Sequence, residues 1–330
     1  MPQRIGRMKA LSASPNGAIL RVLGPDWWMT LLASLIIIVG FILTVIVILS
    51  YDSFIIKTCC ILFATLFFFA IIWSLLSLAT TDPGIIPRSD KRVTIKTEFY
   101  MTLKDVETFD KDADGIDLKI CRTCMIVRPP RSFHCSKCNT CIEMHDHHCP
   151  WVGQCVGLRN NKKFFVFLLT TGIGSLCGSM LCLPPLIERS DAIFLGDTSL
   201  QDTVFKVAIF TGMFTFSMGC TLIVFSICHL LQVSKNLTTN ESIREIYQDT
   251  PNPFNKGCSE NMHLFWSVYP KSPSNLVDKG ENSNEYYSKI LQRYGEVHAR
   301  ATQDQQSTRQ QVDLEDFRNY RYGPIRLYED

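Results

Sequence analysis

The chain has 330 residues, 46% of them apolar and 19% charged, with a formal net charge of +2 at pH 7. That balance argues against a nucleic-acid surface, which needs clustered cations. The length would allow two soluble domains, but the apolar residues are gathered into four long runs, which argues against a water-soluble core.

Residues 1–27 carry Arg4, Arg7, Lys9 and Arg21 against Asp26. The first apolar run, 28–49, has no polar face at helical spacing and is long enough to cross a hydrocarbon core, which takes roughly 20 residues. It is already of full span length and has no small-residue cleavage site, so it is expected to remain as a transmembrane helix and not be removed as a signal peptide. A loop over 50–58 leads to a second span, 59–78. Two further spans are expected over 164–186 and 207–231, joined by a loop over 187–206.

Lys and Arg are retained on the cytoplasmic side of a membrane. The cations before the first span, and Arg88, Lys91, Arg92, Lys162 and Lys163 around the segment 79–163, contrast with a loop holding Glu188, Asp191, Asp197 and Asp202 against Arg189 and Lys206. Both termini, 1–27 and 232–330, and the segment 79–163 are therefore expected in the cytosol. The loops 50–58 and 187–206 fall on the lumenal or extracellular side.

Between Cys121 and Cys155 lie seven cysteines and four histidines. Cytosolic thiols stay reduced, so zinc is preferred over disulfides. Two tetrahedral zinc ions would use eight of these eleven side chains. Of the remainder, Cys149 in the run Asp146-His147-His148-Cys149-Pro150 is the candidate nucleophile, since a spare thiol beside an imidazole and a carboxylate can be activated. Spacing alone leaves open which of His145, His147 and His148 is a ligand.

The pattern Cys121-x2-Cys124, His134-Cys135-x2-Cys138-x2-Cys141, Asp146-His147-His148-Cys149-Pro150-Trp151 and Cys155-Val156-Gly157 resembles the Cys-rich domain of the DHHC protein S-acyltransferases. The likeness extends to Asp82-Pro83-Gly84 after the second span and Thr238-Thr239-Asn240-Glu241 after the fourth. Asn252-Pro253-Phe254-Asn255, with Gly257 and Asn261, is similar to the family's C-terminal motif. The implied fold is an α-helical integral membrane protein with four transmembrane helices and a cytosolic two-zinc domain, its core at 119–160, between spans two and three.

The resemblance implies one zinc on Cys121, Cys124, His134 and Cys141, and a second on Cys135, Cys138, His148 and Cys155. Both would be structural, because all four positions of each are filled. His147 is then left as the base for Cys149, with Asp146 orienting it. The implied activity is that of a protein-cysteine S-palmitoyltransferase. It moves a fatty acyl group, mainly palmitoyl, from acyl-CoA through a Cys149 thioester to cysteines of membrane-associated proteins. Its partners would be the bilayer and peripheral or integral membrane proteins with membrane-proximal cytosolic cysteines, with no nucleic acid. The rival reading is a catalytically silent zinc-containing membrane scaffold of the same fold, against which the intact Asp146, His147 and Cys149 count. Golgi or neighbouring endomembranes are preferred by family analogy, with plasma membrane or endoplasmic reticulum as alternatives.

Arg128, Arg131, Arg159, Lys162 and Lys163 are available for the CoA phosphates, although each also serves the positive-inside pattern. Gly172, Gly174, Ser175 and Gly178 in the third span either deepen an acyl cavity or, as is commoner, allow close helix packing. Three places depart from the family pattern. Gln154 replaces a usual Asn, Asn240 replaces a more apolar residue, and on an ungapped match Asn161 and Lys163 stand where aromatic residues are usual, whereas a one-residue insertion would bring Phe164 and Phe165 there. The acidic stretch 110–115 reads as a solvated linker and not a calcium loop, because its twelfth position, which needs Glu, is Cys121. Cys258, expected in the cytosol, reads as a buried thiol of the C-terminal motif, with acylation as the lesser alternative, and the tail beyond Lys271 is polar.

Overall fold

The computed structural model describes residues 6–13, 19–86, 88, 119–121, 123–124, 126–128, 131–188, 200–248 and 251–268. The acidic stretch 110–115 and the tail beyond Lys271 lie outside them. The chain divides into two units, one of residues 1–88 and 131–278, the other of 89–130 and 279–330.

The first unit opens with the antiparallel hairpin β1 (Lys9–Ala13) and β2 (Ile19–Leu23). It continues into α1 (Trp27–Leu49) and α2 (Phe54–Thr80) and the short β3 (Ile85–Ile86). The described part of the second unit is the hairpin β4 (Lys119–Cys121) and β5 (Ile126–Arg128). Back in the first unit come β6 (Phe133–Cys135), β7 (Thr140–Ile142), β8 (His147–Cys149), one 3-10 turn (Pro150–Val152) and β9 (Gln154–Val156). The helices α3 (Asn161–Met180), α4 (Leu183–Glu188), α5 (Leu200–Ser234), α6 (Thr239–Ile243) and α7 (Cys258–His263) follow, and a π turn (Leu264–Val268) closes the described chain.

Among the described residues, four helical stretches are long and apolar enough to cross a membrane: Trp27–Leu49, Phe54–Thr80, Asn161–Glu188 and Thr203–Ser234. Their outward faces leave Leu31, Leu35, Leu66, Trp73, Phe210 and Met213 exposed. A surface that apolar is stable against lipid and not against water. Inside the bundle α3 packs on α5 and α2, and α1 on α2 and α5. Small residues permit the α3–α5 approach. A Cβ on Gly172 would lie 3.0 Å from Ile223 Cδ1, and one on Gly219 would lie 2.8 Å from Leu176.

The family-like motifs make the joints between helices and strands. Asp82 Oδ1 accepts from the amides of Gly84 (2.8 Å) and Ile85 (2.9 Å), turning the end of α2 into β3, while Oδ2 faces Arg159 Nε at 3.3 Å. β3 then adds to β7, which pairs with β6 on its other edge. Gln154, fully buried, donates from Nε2 to the carbonyls of Leu78 (3.0 Å) and Thr81 (2.9 Å). Both carbonyls lie at the end of α2, where helix carbonyls lack the full set of intrahelical donors; that of Leu78 also accepts from the Thr81 amide at 3.3 Å. Asn160 closes the turn into α3, accepting from Gly157 N at 2.8 Å and donating to Cys155 O at 3.0 Å. The C-terminal motif likewise closes α5: Asn252 Nδ2 donates to the Lys235 and Asn236 carbonyls, both at 3.0 Å, and Asn261 Nδ2 to the Ser234 carbonyl at 2.8 Å.

Candidate functional site

Pairing of β8 with β9 decides what each residue of the His147-His148-Cys149 run can do. His148 lies opposite Cys155 in the register, and successive strand residues face opposite sides. His148 therefore turns one way, and His147 and Cys149 the other. On its side His148 Nδ1 meets the sulfurs of Cys135 (3.6 Å), Cys138 (3.4 Å) and Cys155 (3.6 Å). On the opposite side His147 and Cys149 line a cavity.

Two groups of three thiols and one imidazole are present: Cys121, Cys124, His134 and Cys141, and Cys135, Cys138, His148 and Cys155. The ligand atoms within each group lie within 4.8 Å of one another. Turn geometry prepares them, since Cys121 and Cys135 each accept an amide hydrogen bond from the cysteine three residues on, at 3.3 and 3.4 Å. Soft thiolates plus imidazole, buried and four in number, are the donor set of a structural zinc ion. Around the second group Met8, Val22, Ile85 and Ile142 form a small core with its cysteines.

His145 belongs to neither group. Its Nε2 lies 3.6 Å from Cys155 Sγ, and Asn240 Nδ2 donates to its Nδ1 at 3.2 Å. Asn240 thus gives the His145 ring a polar neighbour that an apolar residue would not.

Asp146, His147 and Cys149 come together on the cavity side. The buried Asp146 holds His147 Nδ1 at 2.7 Å through Oδ2. Thr239, at the start of α6, donates to the same carboxylate from its amide (2.8 Å to Oδ1) and its hydroxyl (2.9 Å to Oδ2). Burial would raise the Asp146 pKa, but the hydrogen bond and charge of His147, with help from His229 and the Thr239 amide, hold it at about 2. Burial would likewise lower that of His147. Hydrogen bonds to Asp146 and Cys149 and their charges outweigh it, and the imidazole is raised to about 9. Phe164 packs edge-on to the His147 ring, with centroids 5.0 Å apart.

The α6 turn that delivers Thr239 is itself held. Thr238 Oγ accepts from Glu241 N at 3.2 Å and Thr238 N donates to Glu241 Oε2 at 2.9 Å, a reciprocal capping box. Arg131 grips the Glu241 carboxylate with Nε (2.7 Å) and Nη2 (2.8 Å) and reaches Asn236 Oδ1 with Nη1 (2.9 Å). Its guanidinium lies over the Phe254 ring at 4.7 Å. Arg131 was expected at a CoA phosphate; its side chain is only 3% exposed and its donors are spent on Glu241 and Asn236, which removes it from that role.

Of the other candidate phosphate ligands, Lys163 donates to Thr81 Oγ1 at 2.7 Å and Lys162 to the Trp266 carbonyl, its ammonium 5.8 Å from that ring. Arg159 faces Asp82, and Arg128 sits on β5.

The cavity measures about 770 Å³ and is lined by residues of all four spans. His147 and Cys149 lie by Phe164, near the start of α3, while Gly178 lies near the end of that helix, facing Thr44 of α1 and Thr215 of α5. The glycines of α3 divide here. Gly172 packs on α5 and does not line the cavity, Gly174 lines it against Phe67 and Ile71, and a Cβ on Gly178 would have 3.9 Å of clearance. The sequence reading passed over His229, a histidine within the fourth apolar run. It lines the cavity between Phe164 and Phe165 and donates from Nε2 to Asn161 Oδ1 at 2.7 Å. An ionisable residue inside a span is the signal that pointed to it.

Residues 115–246 match the family model described as DHHC palmitoyltransferase. The chain is 35% identical over 208 residues to "Probable protein S-acyltransferase 6" of Arabidopsis thaliana, an alignment covering 59% of this chain and 50% of that protein. It is 35% identical over 206 residues to "Palmitoyltransferase ZDHHC8" of Drosophila melanogaster, covering 62% and 21%. It is 33% identical over 205 residues to the Homo sapiens protein of that name, covering 61% and 25%. The chain thus spans half of the plant relative's length and about a quarter or less of the two animal ones.

Proposed function

We propose that this chain, which belongs to the DHHC palmitoyltransferase family through residues 115–246, is a protein S-acyltransferase that works through a thioester on Cys149. The observation that carries the proposal is the seating of Cys149 and His147 at an apolar cavity between four membrane-spanning helices, with Asp146 on the far nitrogen of the imidazole.

The chemistry follows from these groups. His147, its Nδ1 proton held by Asp146, takes the Cys149 proton on Nε2 and keeps the thiolate as an ion pair. The thiolate attacks the carbonyl of a fatty acyl-CoA. The bond to the CoA sulfur breaks, and the leaving thiolate recovers the proton from His147. In the second half the thiol of a substrate cysteine gives its proton to His147 and attacks the acyl-enzyme, and Cys149 leaves as the thiolate. Thioester is exchanged for thioester in both halves, so no external energy source is needed. Zinc ions held by Cys121, Cys124, His134 and Cys141 and by Cys135, Cys138, His148 and Cys155 would supply folding free energy to a segment with little core of its own.

The cavity accounts for the acyl group. Burying a fatty chain gains about 0.8 kcal/mol per methylene, and the lining is contributed by the same helices that face lipid outside. The charge pattern supports a cytosolic position for Cys149, within reach of membrane-proximal cysteines of peripheral and integral membrane proteins. An alkyne-tagged palmitoyl-CoA incubated with the purified chain in detergent should label wild type and not Cys149→Ser, and neutral hydroxylamine should release the label. Absence of label on folded, zinc-loaded wild type over a series of chain lengths would favour a silent scaffold.

A further inference from the structure

We infer that Asp26, at the start of α1, is a positioning residue of the second zinc set, holding the His148 ring so that Nδ1 faces the three thiolates. This rests on reading Cys135, Cys138, His148 and Cys155 as a zinc site. His148 turns Nδ1 to the sulfurs and Nε2 to Asp26 Oδ2, at 2.9 Å. A neutral imidazole that ligates through one nitrogen carries its proton on the other, and a carboxylate there fixes the tautomer, aims the ring and strengthens the donor.

Asp26 stands at the N-cap position of α1, where an aspartate ordinarily accepts from a helix amide. Its side chain makes no such bond. The carboxylate is turned to His148 instead. The approach that permits this is built into the backbone. Asp26 N donates to Gly153 O at 3.2 Å. A Cβ on Gly24 would fall 1.9 Å from Gly153 O, so the chain can pass there only as glycine. Gly153 itself has φ 79° and would drive a Cβ to 2.7 Å from Thr30 Oγ1. The segment before α1 also closes the metal site from outside, with Arg7 N donating to Cys138 O at 2.9 Å and Met8 and Val22 packed on the cysteines.

The contact has a functional consequence. Ala33, Ile37 and Phe41 of α1 wall the cavity. Asp26 therefore ties the helix that contacts the acyl chain to the strand that carries Cys149, and keeps the two in register.

The test uses the full chain in detergent, with zinc counted and then competed away by graded chelator. Wild type should hold two ions. Asp26→Ala should weaken one ion by about 10- to 100-fold and leave the other unchanged, the usual effect of removing a carboxylate behind a ligating histidine. Asp26→Ser should match Ala, because serine caps a helix well but is too short to reach His148. Asp26→Glu should recover most of the affinity. The inference is overturned if Ala and Ser keep both ions as wild type does. It is also overturned if Ser alone restores the site, which would mean capping, or if both ions weaken equally, which would mean general unfolding. A wild type without zinc would instead overturn the zinc reading on which the inference stands.

Discussion

On the acyl transfer proposed above, replacing Gly178 with leucine should shorten the preferred acyl chain. Gly178 lies 14 residues beyond Phe164, about 21 Å down α3 at 1.5 Å per residue, and Phe164 marks the level of His147. A Cβ there makes ordinary contact, 3.9 Å, with Thr215 and Thr44, so a longer side chain has to extend into the cavity that Gly178 lines. Leucine would fill space otherwise open to roughly three methylenes. At about 0.8 kcal/mol each that is about 2.4 kcal/mol, or near 50-fold in relative preference between the longest accommodated chain and one shorter by three methylenes. The assay is competition between tagged acyl-CoAs of graded length for Cys149, with thermal stability checked in parallel. An unchanged preference in a stable variant would refute the argument that the acyl chain reaches Gly178. Gly172→Leu is the control, and it should destabilise the protein, because its Cβ already meets Ile223 at 3.0 Å.

Cys135→Ala should lose zinc and fold poorly, whereas Cys149→Ser should keep two zinc ions and wild-type stability, as metal analysis and thermal melts would read; zinc loss from Cys149→Ser would contradict the division of labour along β8. Glu241→Gln leaves the Arg131 cation buried without its counter-charge, a change that typically costs about 3–5 kcal/mol, and should lower the melting temperature, with Arg131→Met/Glu241→Leu recovering part of the loss. Thr239→Val removes one hydrogen bond to the Asp146 carboxylate, a bond to a charged group being worth about 1.5–3 kcal/mol. It should slow acylation of Cys149 by about 10- to 100-fold while zinc content stays at two; an unaffected rate would mean that the Thr239 hydroxyl does not help to position Asp146.

What the sequence made legible was carried by local signals. Four apolar runs announce four spanning helices, and the count of cysteines and histidines is enough for two zinc ions, whose ligand sets the family resemblance supplied. The histidine run was ambiguous because spacing cannot tell which way a side chain faces. The β8–β9 register resolves the geometry, since alternation turns His148 to the thiols and His147 to the cavity. Arg131 misled for a different reason. Its partner Glu241 is 110 residues away, and near a membrane a buried cation reads like any other positive-inside residue. Gln154 and Asn240 looked like arbitrary departures, yet the longer amide reaches two carbonyls at the end of α2, and the polar Asn240 meets the His145 ring. Asp26 was counted only as a stray acid in a basic segment. Its role depends on a chain reversal that brings Gly24 against Gly153, which no local pattern encodes.

The most direct test of the account is a single-turnover chase. The purified chain is loaded with tagged palmitoyl-CoA, freed of excess acyl-CoA, and mixed in detergent with a lipidated peptide bearing one cysteine. The account predicts that label leaves Cys149 and appears on the peptide cysteine in equal amount, at a rate no slower than steady-state turnover, and that His147→Ala abolishes loading. Label that stays on Cys149 while the peptide is acylated in the presence of fresh acyl-CoA would contradict a thioester on Cys149 as the intermediate.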